Sequence, residues 1–278
     1  MNVDRHYVAA RRVLMDALED LVEHADAVVV VGAQAVYIRC GATNIGIADY
    51  TTDGDLALDC DRMTEIPLLE DAMRARFTHA VGQTGHEQPG VWTRTVEVGG
   101  ELIEVPVDLI VPEGIEPPGG SRGARLAGHG KRAARKASGL EAAMVDNDVL
   151  AIRAFESEDV RVLERRVAGP TALLIAKAYK IHDRLAEPER LDRVIDKDAS
   201  DAYRLMVTTP AARVNGVVSM LLKDDRIGAF AERGLEMLRT QFGARRAPGV
   251  EMAVRALRLG VPEDRVRNVC VSFIAHLS

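Results

Sequence analysis

Two carboxylates spaced two residues apart, Asp53 and Asp55, stand at the head of an apolar run in the string Thr51-Thr52-Asp53-Gly54-Asp55-Leu56-Ala57-Leu58-Asp59. If that run is a strand, its period of two puts both carboxylates on one face, about 6–7 Å apart along the chain. Oxygen-rich side chains at that spacing can share Mg²⁺ or Mn²⁺, hard cations that take carboxylate and phosphate oxygens. A third carboxylate, Asp108, interrupts the alternating segment Val105-Pro106-Val107-Asp108-Leu109-Ile110. An unpaired charge inside such a strand is costly, so Asp108 needs a partner, and a cation is the natural one. Three carboxylates converging on divalent ions can activate an attacking hydroxyl, hold triphosphate oxygens and offset charge on a leaving group. Singly, each has a plainer reading: TTDGD as a turn, and a buried aspartate paired with an arginine or with backbone amides.

These side chains need a scaffold. Residues 3–24 read as an amphipathic helix through Val8, Val13, Leu14, Leu18, Leu21 and Val22, and Ala27 to Val31 as a buried strand ending at Gly32. A short helix follows from about Ala33 to Cys40, stopped by Gly41. Leu56 and Leu58 mark a second strand and Pro67 to Phe77 a helix. Val91 to Val98 and Leu102 to Val111 form a hairpin across Gly99-Gly100, with Trp92 expected to pack in its core. Beyond a boundary near 165 the pattern is helical: Pro170 opens a helix over Thr171 to Leu185, and further helices are expected over 198–207, 211–222, 226–241, 248–258 and 263–276. The expected organisation is a mixed α+β domain over 1–165 followed by a helical domain over 166–278.

The chain has 278 residues, with 36 Lys and Arg against 42 Asp and Glu, 47% hydrophobic and 28% charged, which excludes disordered, collagenous and disulfide-dense classes. Three widely spaced cysteines without a CxxC pair suit a reduced compartment. No apolar run approaches the roughly 20 residues of a membrane span, so a cytoplasmic protein with no membrane partner is expected. Against this net acidity, Pro117 to Leu140 carries Arg122, Arg125, Lys131, Arg132, Arg135 and Lys136 and no carboxylate. Such a segment is either a phosphate-attracting patch or a solvated loop.

With these parts in view, the chain resembles the minimal nucleotidyltransferases, and within them the AbiEii/MenT-type toxin group. Gly32-Ala33 stands where that family turns from a strand into a helix, Asp53-Gly54-Asp55 matches its Asp-x-Asp strand, and Asp108 its later carboxylate. Lys180-Ile181-His182 and Lys197-Asp198-Ala199-Ser200-Asp201-Ala202-Tyr203-Arg204-Leu205 are similar to two helical segments of the same group, so that the likeness spans about residues 25–206. The resemblance implies a polymerase β-like mixed sheet whose helical C-terminal domain completes the nucleotide and acceptor site. It further implies an NTP substrate with Mg²⁺ or Mn²⁺, nucleotide contacts from Gly32, Ala33, Thr52 and Lys180, and an assisting role for Asp201. Ala33 replaces the usual Ser or Gly, leaving backbone amides to meet phosphate. Similar toxins are silenced by phosphorylation near the Asp-x-Asp strand, which makes Thr51 and Thr52 regulatory candidates.

Read as a helix, Lys177, Lys180 and Arg184 form one basic stripe, either solvated or phosphate-facing, and Asp198, Asp201 and Arg204 share a face that an internal ion pair would also explain. Lys131 lacks a phosphate-loop frame, the seven histidines lack zinc-hydrolase spacing, and no Ser or Cys sits in a nucleophile elbow. The expected activity is therefore transfer of a nucleoside monophosphate to an acceptor hydroxyl with release of pyrophosphate. By resemblance the acceptor is an RNA 3′ end, tRNA included, bound by the basic segment, and the setting a toxin with a cognate antitoxin. A protein or small-molecule acceptor, or a catalytically eroded nucleotide- or RNA-binding module, are the alternatives.

Overall fold

The computed structural model describes residues 4–41, 49–115, 123, 124, 126, 128–186 and 196–277. Asp4 starts the first helix, α1 (Arg5–Asp20), by accepting from the backbone amides of His6 and Tyr7, donors that a helix N-terminus leaves unpaired. A 3₁₀ turn, Val22–His24, follows in place of the helix's expected last turn. Then comes β1 (Val28–Val31), buried throughout, from which Gly32 turns directly into α2 (Gly32–Cys40). The next elements are β2 (Gly54–Leu58), α3 (Leu69–Arg74), β3 (Thr78–Val81), β4 (Glu87–Val98), β5 (Glu101–Pro112), β6 (Arg135–Ala137), β7 (Asn147–Arg153) and β8 (Val162–Ala168). Among the described residues six helices follow: α4 (Pro170–Ala186), α5 (Lys197–Thr208), α6 (Ala211–Leu221), α7 (Gly228–Phe242), α8 (Pro248–Leu257) and α9 (Glu263–Ala275). This is the mixed sheet followed by a helical region that the sequence leads one to expect.

The strands form a single mixed sheet in the order β3-β4-β5-β2-β1-β8-β7, with β6 also paired to β5. Gly99 and Gly100, both at positive φ, turn the β4–β5 hairpin in the register Val98 opposite Glu101. β2 runs parallel to β5 and antiparallel to β1, and β8 runs parallel to β1. Four strands go beyond the sequence reading. In β7 only Ile152 is buried, in β3 only His79, and β8 carries Glu164-Arg165-Arg166 before its two buried residues, Val167 and Ala168. β6 is three partly exposed residues. None has the one-sided apolar alternation by which a strand is recognised.

The chain divides into two compact units. The first comprises Met1–Ala35, Ala48–Ala137 and Asn147–Ala168 and contains the whole sheet; the second comprises Val36–Ile47, Ser138–Asp146 and Gly169–Ser278. In the first, α1 lies on β2, β4 and β5 and buries Val13, Leu14 and Leu18. Trp92 is fully buried, stacked on His79 at 3.8 Å between ring centroids, and its indole donates to the Ala133 carbonyl. In the second, α4 packs on α5 and α7, and α5 on α8 and α9. Gly234 lets α7 approach α4, because a Cβ there would meet Ile175 and Tyr179. Among the described residues no helix is long and apolar enough to cross a membrane.

Candidate active site

The carboxylates are placed by strand order. Asp55 on β2 stands opposite Val31 on β1 on one side and opposite Asp108 on β5 on the other. Gly32 follows Val31, and its backbone, at φ +69°, lies so close to Asp55 that a Cβ would overlap that carboxylate. Only glycine fits here, both for its left-handed φ and for its missing side chain. Gly54 serves the opposite face: a Cβ there would lie 3.1 Å from Leu14 Cδ1 and 3.6 Å from Val107 Cγ2, on the side where α1 packs. The Asp-Gly-Asp string thus presents a small residue to the core helix and carboxylates to the other face.

Asp108 has found a partner within the protein. Arg135 on β6 donates to its Oδ2 from Nε at 3.0 Å and from Nη2 at 2.6 Å. Burial, then the charge of Asp55, and to a lesser extent that of Asp53, push the Asp108 carboxyl above the usual carboxylate range, against the pull of Arg135. Asp53 is partly exposed. Its Oδ1 accepts from the Thr51 hydroxyl, and its backbone carbonyl accepts from the Gln34 amide at 2.9 Å. Thr51 is buried with its hydroxyl in that bond, whereas Thr52 is exposed.

The donor set fits a hard divalent cation. The charge of Asp55 hinders ionisation of Asp108, which a cation would relieve, and the missing Cβ of Gly32 is what lets the Asp55 carboxylate sit against that turn. Among the described residues no three Asp, Glu, His or Cys side chains close into a metal cage of their own. Mg²⁺ is ordinarily held by one or two carboxylates, completed by substrate phosphates and water. The first turn of α2, from Gly32 through Ala33, offers the backbone amides that an anion would take, with no hydroxyl at Ala33 to assist.

The other expected site residues are placed differently. Lys180 on α4 and Asp201 on α5 belong to the helical unit. Asp201 is fully buried, and its Oδ2 accepts from Lys177 at 2.7 Å, while Lys177 also donates to Asp198 at 2.8 Å. The basic stripe is therefore corrected: α4 is buried on all sides from Pro170 to Tyr179, so Lys177 points inward and must be paired, and Arg184 pairs with Asp198. Burial pushes the Lys177 pKa down, but the charges of Asp198 and Asp201 outweigh it and hold the ammonium above its ordinary range. Lys180 is partly exposed.

The basic segment is partly paired within the protein. Arg122 and Arg125 lie outside the described residues. Arg132 is tied to Glu87 at 2.5 Å and Arg135 to Asp108, so two of its cations are neutralised by carboxylates from elsewhere in the sheet unit. Lys131 is exposed and Lys136 partly so. Sequence reasoning missed Arg135 as the partner of Asp108, and it missed Arg11 and Gln34, two buried polar residues joined by a hydrogen bond. A signal was present for both: Arg11 interrupts the apolar face of α1 four residues after Tyr7, and Gln34 is the one polar side chain between Gly32 and Tyr37.

No protein-family model and no curated protein matches the chain. Two solved structures resemble it in outline. One is an antigenic nucleotidyltransferase-like protein from Paracoccidioides brasiliensis, 15% identical, aligned over 91% of this chain and 93% of its own with a TM-score of 0.47. The other is a nucleotidyltransferase candidate from H. pylori, 11% identical, aligned over 91% of this chain and 96% of its own with a TM-score of 0.28. Both are likenesses of outline alone.

Proposed function

We propose that the chain transfers a nucleoside monophosphate from an NTP to an acceptor hydroxyl. The observation that supports this best is the meeting of Gly32, Asp55 and Asp108: a glycine turn opening a helix, pressed against one of two carboxylates that stand in register on parallel strands. In the reaction the acceptor oxygen bonds to the α-phosphorus, the bond from that phosphorus to the bridging oxygen of the β-phosphate breaks, and pyrophosphate leaves with the electron pair. The hydroxyl proton passes to the Asp108 carboxylate, which stands in register with Asp55 on the neighbouring strand. A bound Mg²⁺ or Mn²⁺, held by Asp53 and Asp55 with Asp108, would supply charge neutralisation for the triphosphate. The first-turn amides of α2 add donors for phosphate oxygens.

Within this activity we take an RNA 3′ end, tRNA included, as the acceptor, and a toxin restrained by a cognate antitoxin as the setting. The support is the resemblance over residues 25–206 and the exposed Lys131. Arg132 and Arg135 would have to exchange carboxylate for phosphate to contribute.

The test is incubation with each labelled NTP, Mg²⁺, total cellular RNA and protein, followed by gel separation and a pyrophosphate assay. Label in RNA, lost together with pyrophosphate release in Asp53→Ala and Asp55→Ala, is expected. Label in protein would move the acceptor, full activity in both variants would reject the assignment of these carboxylates, and NTP binding without any pyrophosphate would leave a binding module.

A further inference from the structure

We propose that Gln34 is a positioning residue that fixes the backbone of Asp53, and that Arg11 fixes the orientation of the Gln34 amide. The inference deepens the nucleotide-transfer reading and rests on it for the chemistry that Asp53 performs. β2 begins at Gly54, and its register with β5 runs from Gly54 opposite Val107, so Asp53 lies just before the ladder. Its carbonyl accepts instead from Gln34 Nε2 at 2.9 Å, and the same nitrogen donates to the Ala10 carbonyl at 3.1 Å. Gln34 is 1% exposed, so these bonds are made away from water, where a misdirected amide is most costly.

A primary amide is nearly symmetric in shape but not in chemistry. Rotated by half a turn, Gln34 would aim its oxygen at two carbonyl oxygens. Arg11 removes that alternative, because its Nε donates to Gln34 Oε1 at 2.8 Å and an arginine can only donate. Arg11 is in turn held by neutral groups: Nη1 donates to the Arg153 carbonyl at 3.1 Å, Nη2 to the Tyr7 hydroxyl at 3.0 Å, and its guanidinium lies 4.7 Å from the centre of the Phe155 ring. Burial pulls the Arg11 guanidinium below its ordinary pKa, with Tyr7 and Asp49 opposing. A cation kept inside at that cost, and spending one donor on the oxygen of a buried amide, sets the direction of the other end of that amide. The other end is the donor to Asp53, whose carboxylate is held separately by Thr51.

The full chain carrying Gln34→Glu at pH 8 tests this. The variant keeps the shape and the Arg11 contact but sets an oxygen against the Asp53 carbonyl. Two readings are taken: amide hydrogen exchange over residues 51–55 and over β1, and Mn²⁺ uptake with a non-hydrolysable NTP followed by electron paramagnetic resonance. Exchange over 51–55 is expected to quicken about tenfold with β1 unchanged. Mn²⁺–nucleotide affinity is expected to fall about 10–100-fold, as for other residues that orient a metal ligand. Unchanged exchange over 51–55, or equal quickening in β1, overturns the inference. If the wild-type protein takes up no Mn²⁺–nucleotide while 51–55 still loosens in the variant, the brace stands and the nucleotide-transfer reading fails. Arg11→Lys, which frees the amide without altering it, carries the same two readings should Gln34→Glu not fold.

Discussion

Gly32 and Asp55 touch across the β1–β2 pair: the Asp55 carboxylate fills the space that a Cβ on residue 32 would need. Gly32→Ala therefore incurs both a left-handed φ and a steric overlap. Destabilisation of at least about 2 kcal/mol is expected, together with weakened NTP binding. Urea unfolding and nucleotide titration measure the two; a variant equal to wild type in both would show that the turn is not a tight one.

Lys177 is bonded to the buried Asp201 and also holds Asp198. Lys177→Met leaves two carboxylates facing each other in the core and should cost about 3–5 kcal/mol, read as a lowered denaturant midpoint. Adding Asp198→Asn and Asp201→Asn should restore part of the loss.

The same ion pair predicts a pH window. Burial pushes the Asp198 carboxyl up, but Lys177, Lys180 and Arg184 more than reverse this and hold it below the usual carboxylate range. Its stabilisation is therefore full above about pH 4, where the unfolded carboxyl is ionised, and is lost as pH falls through the folded value. Lys177 is held above its ordinary range, so its contribution is full below about pH 10 and lost as pH rises further. Wild type minus Lys177→Met, followed by urea midpoint, should be flat between these limits and shrink beyond either.

His79 is buried against Trp92, and neither ring nitrogen has a hydrogen-bond partner among the described residues. Burial lowers its pKa, with Glu87 and Glu70 opposing and Arg74 and Arg132 adding. The unfolded chain then takes up a proton first as pH falls below about 6.5, so this residue subtracts stability on the acid side and nothing above it. His79→Phe, which keeps the stacking, should lose less stability than wild type between pH 7.5 and 5; parallel losses would contradict this.

Glu87 neutralises Arg132 at the surface. If RNA is the acceptor, Glu87→Gln frees a cation and should tighten RNA binding by up to about fivefold, with a steeper dependence on salt. Filter binding at two ionic strengths checks it.

The helices of the second unit were readable from the chain alone because their signals are local: Pro170, Pro210, Pro248 and Pro262 punctuate segments whose apolar residues recur at helical spacing. The shared face of Asp53 and Asp55 was readable for the same reason, since a spacing of two on a strand dictates it. Packing between distant segments decided the remainder. β7 and β8 owe their place to neighbours that bury one residue of the first and two of the second, and a run such as Glu164-Arg165-Arg166 conceals this. That Gly32 lands on Asp55, that Arg135 claims Asp108, and that Lys177 turns inward to Asp201 each depend on which strands become adjacent or which side of a helix is enclosed. Spacing within a segment fixes the direction of its side chains; only the folded arrangement of segments says what they meet.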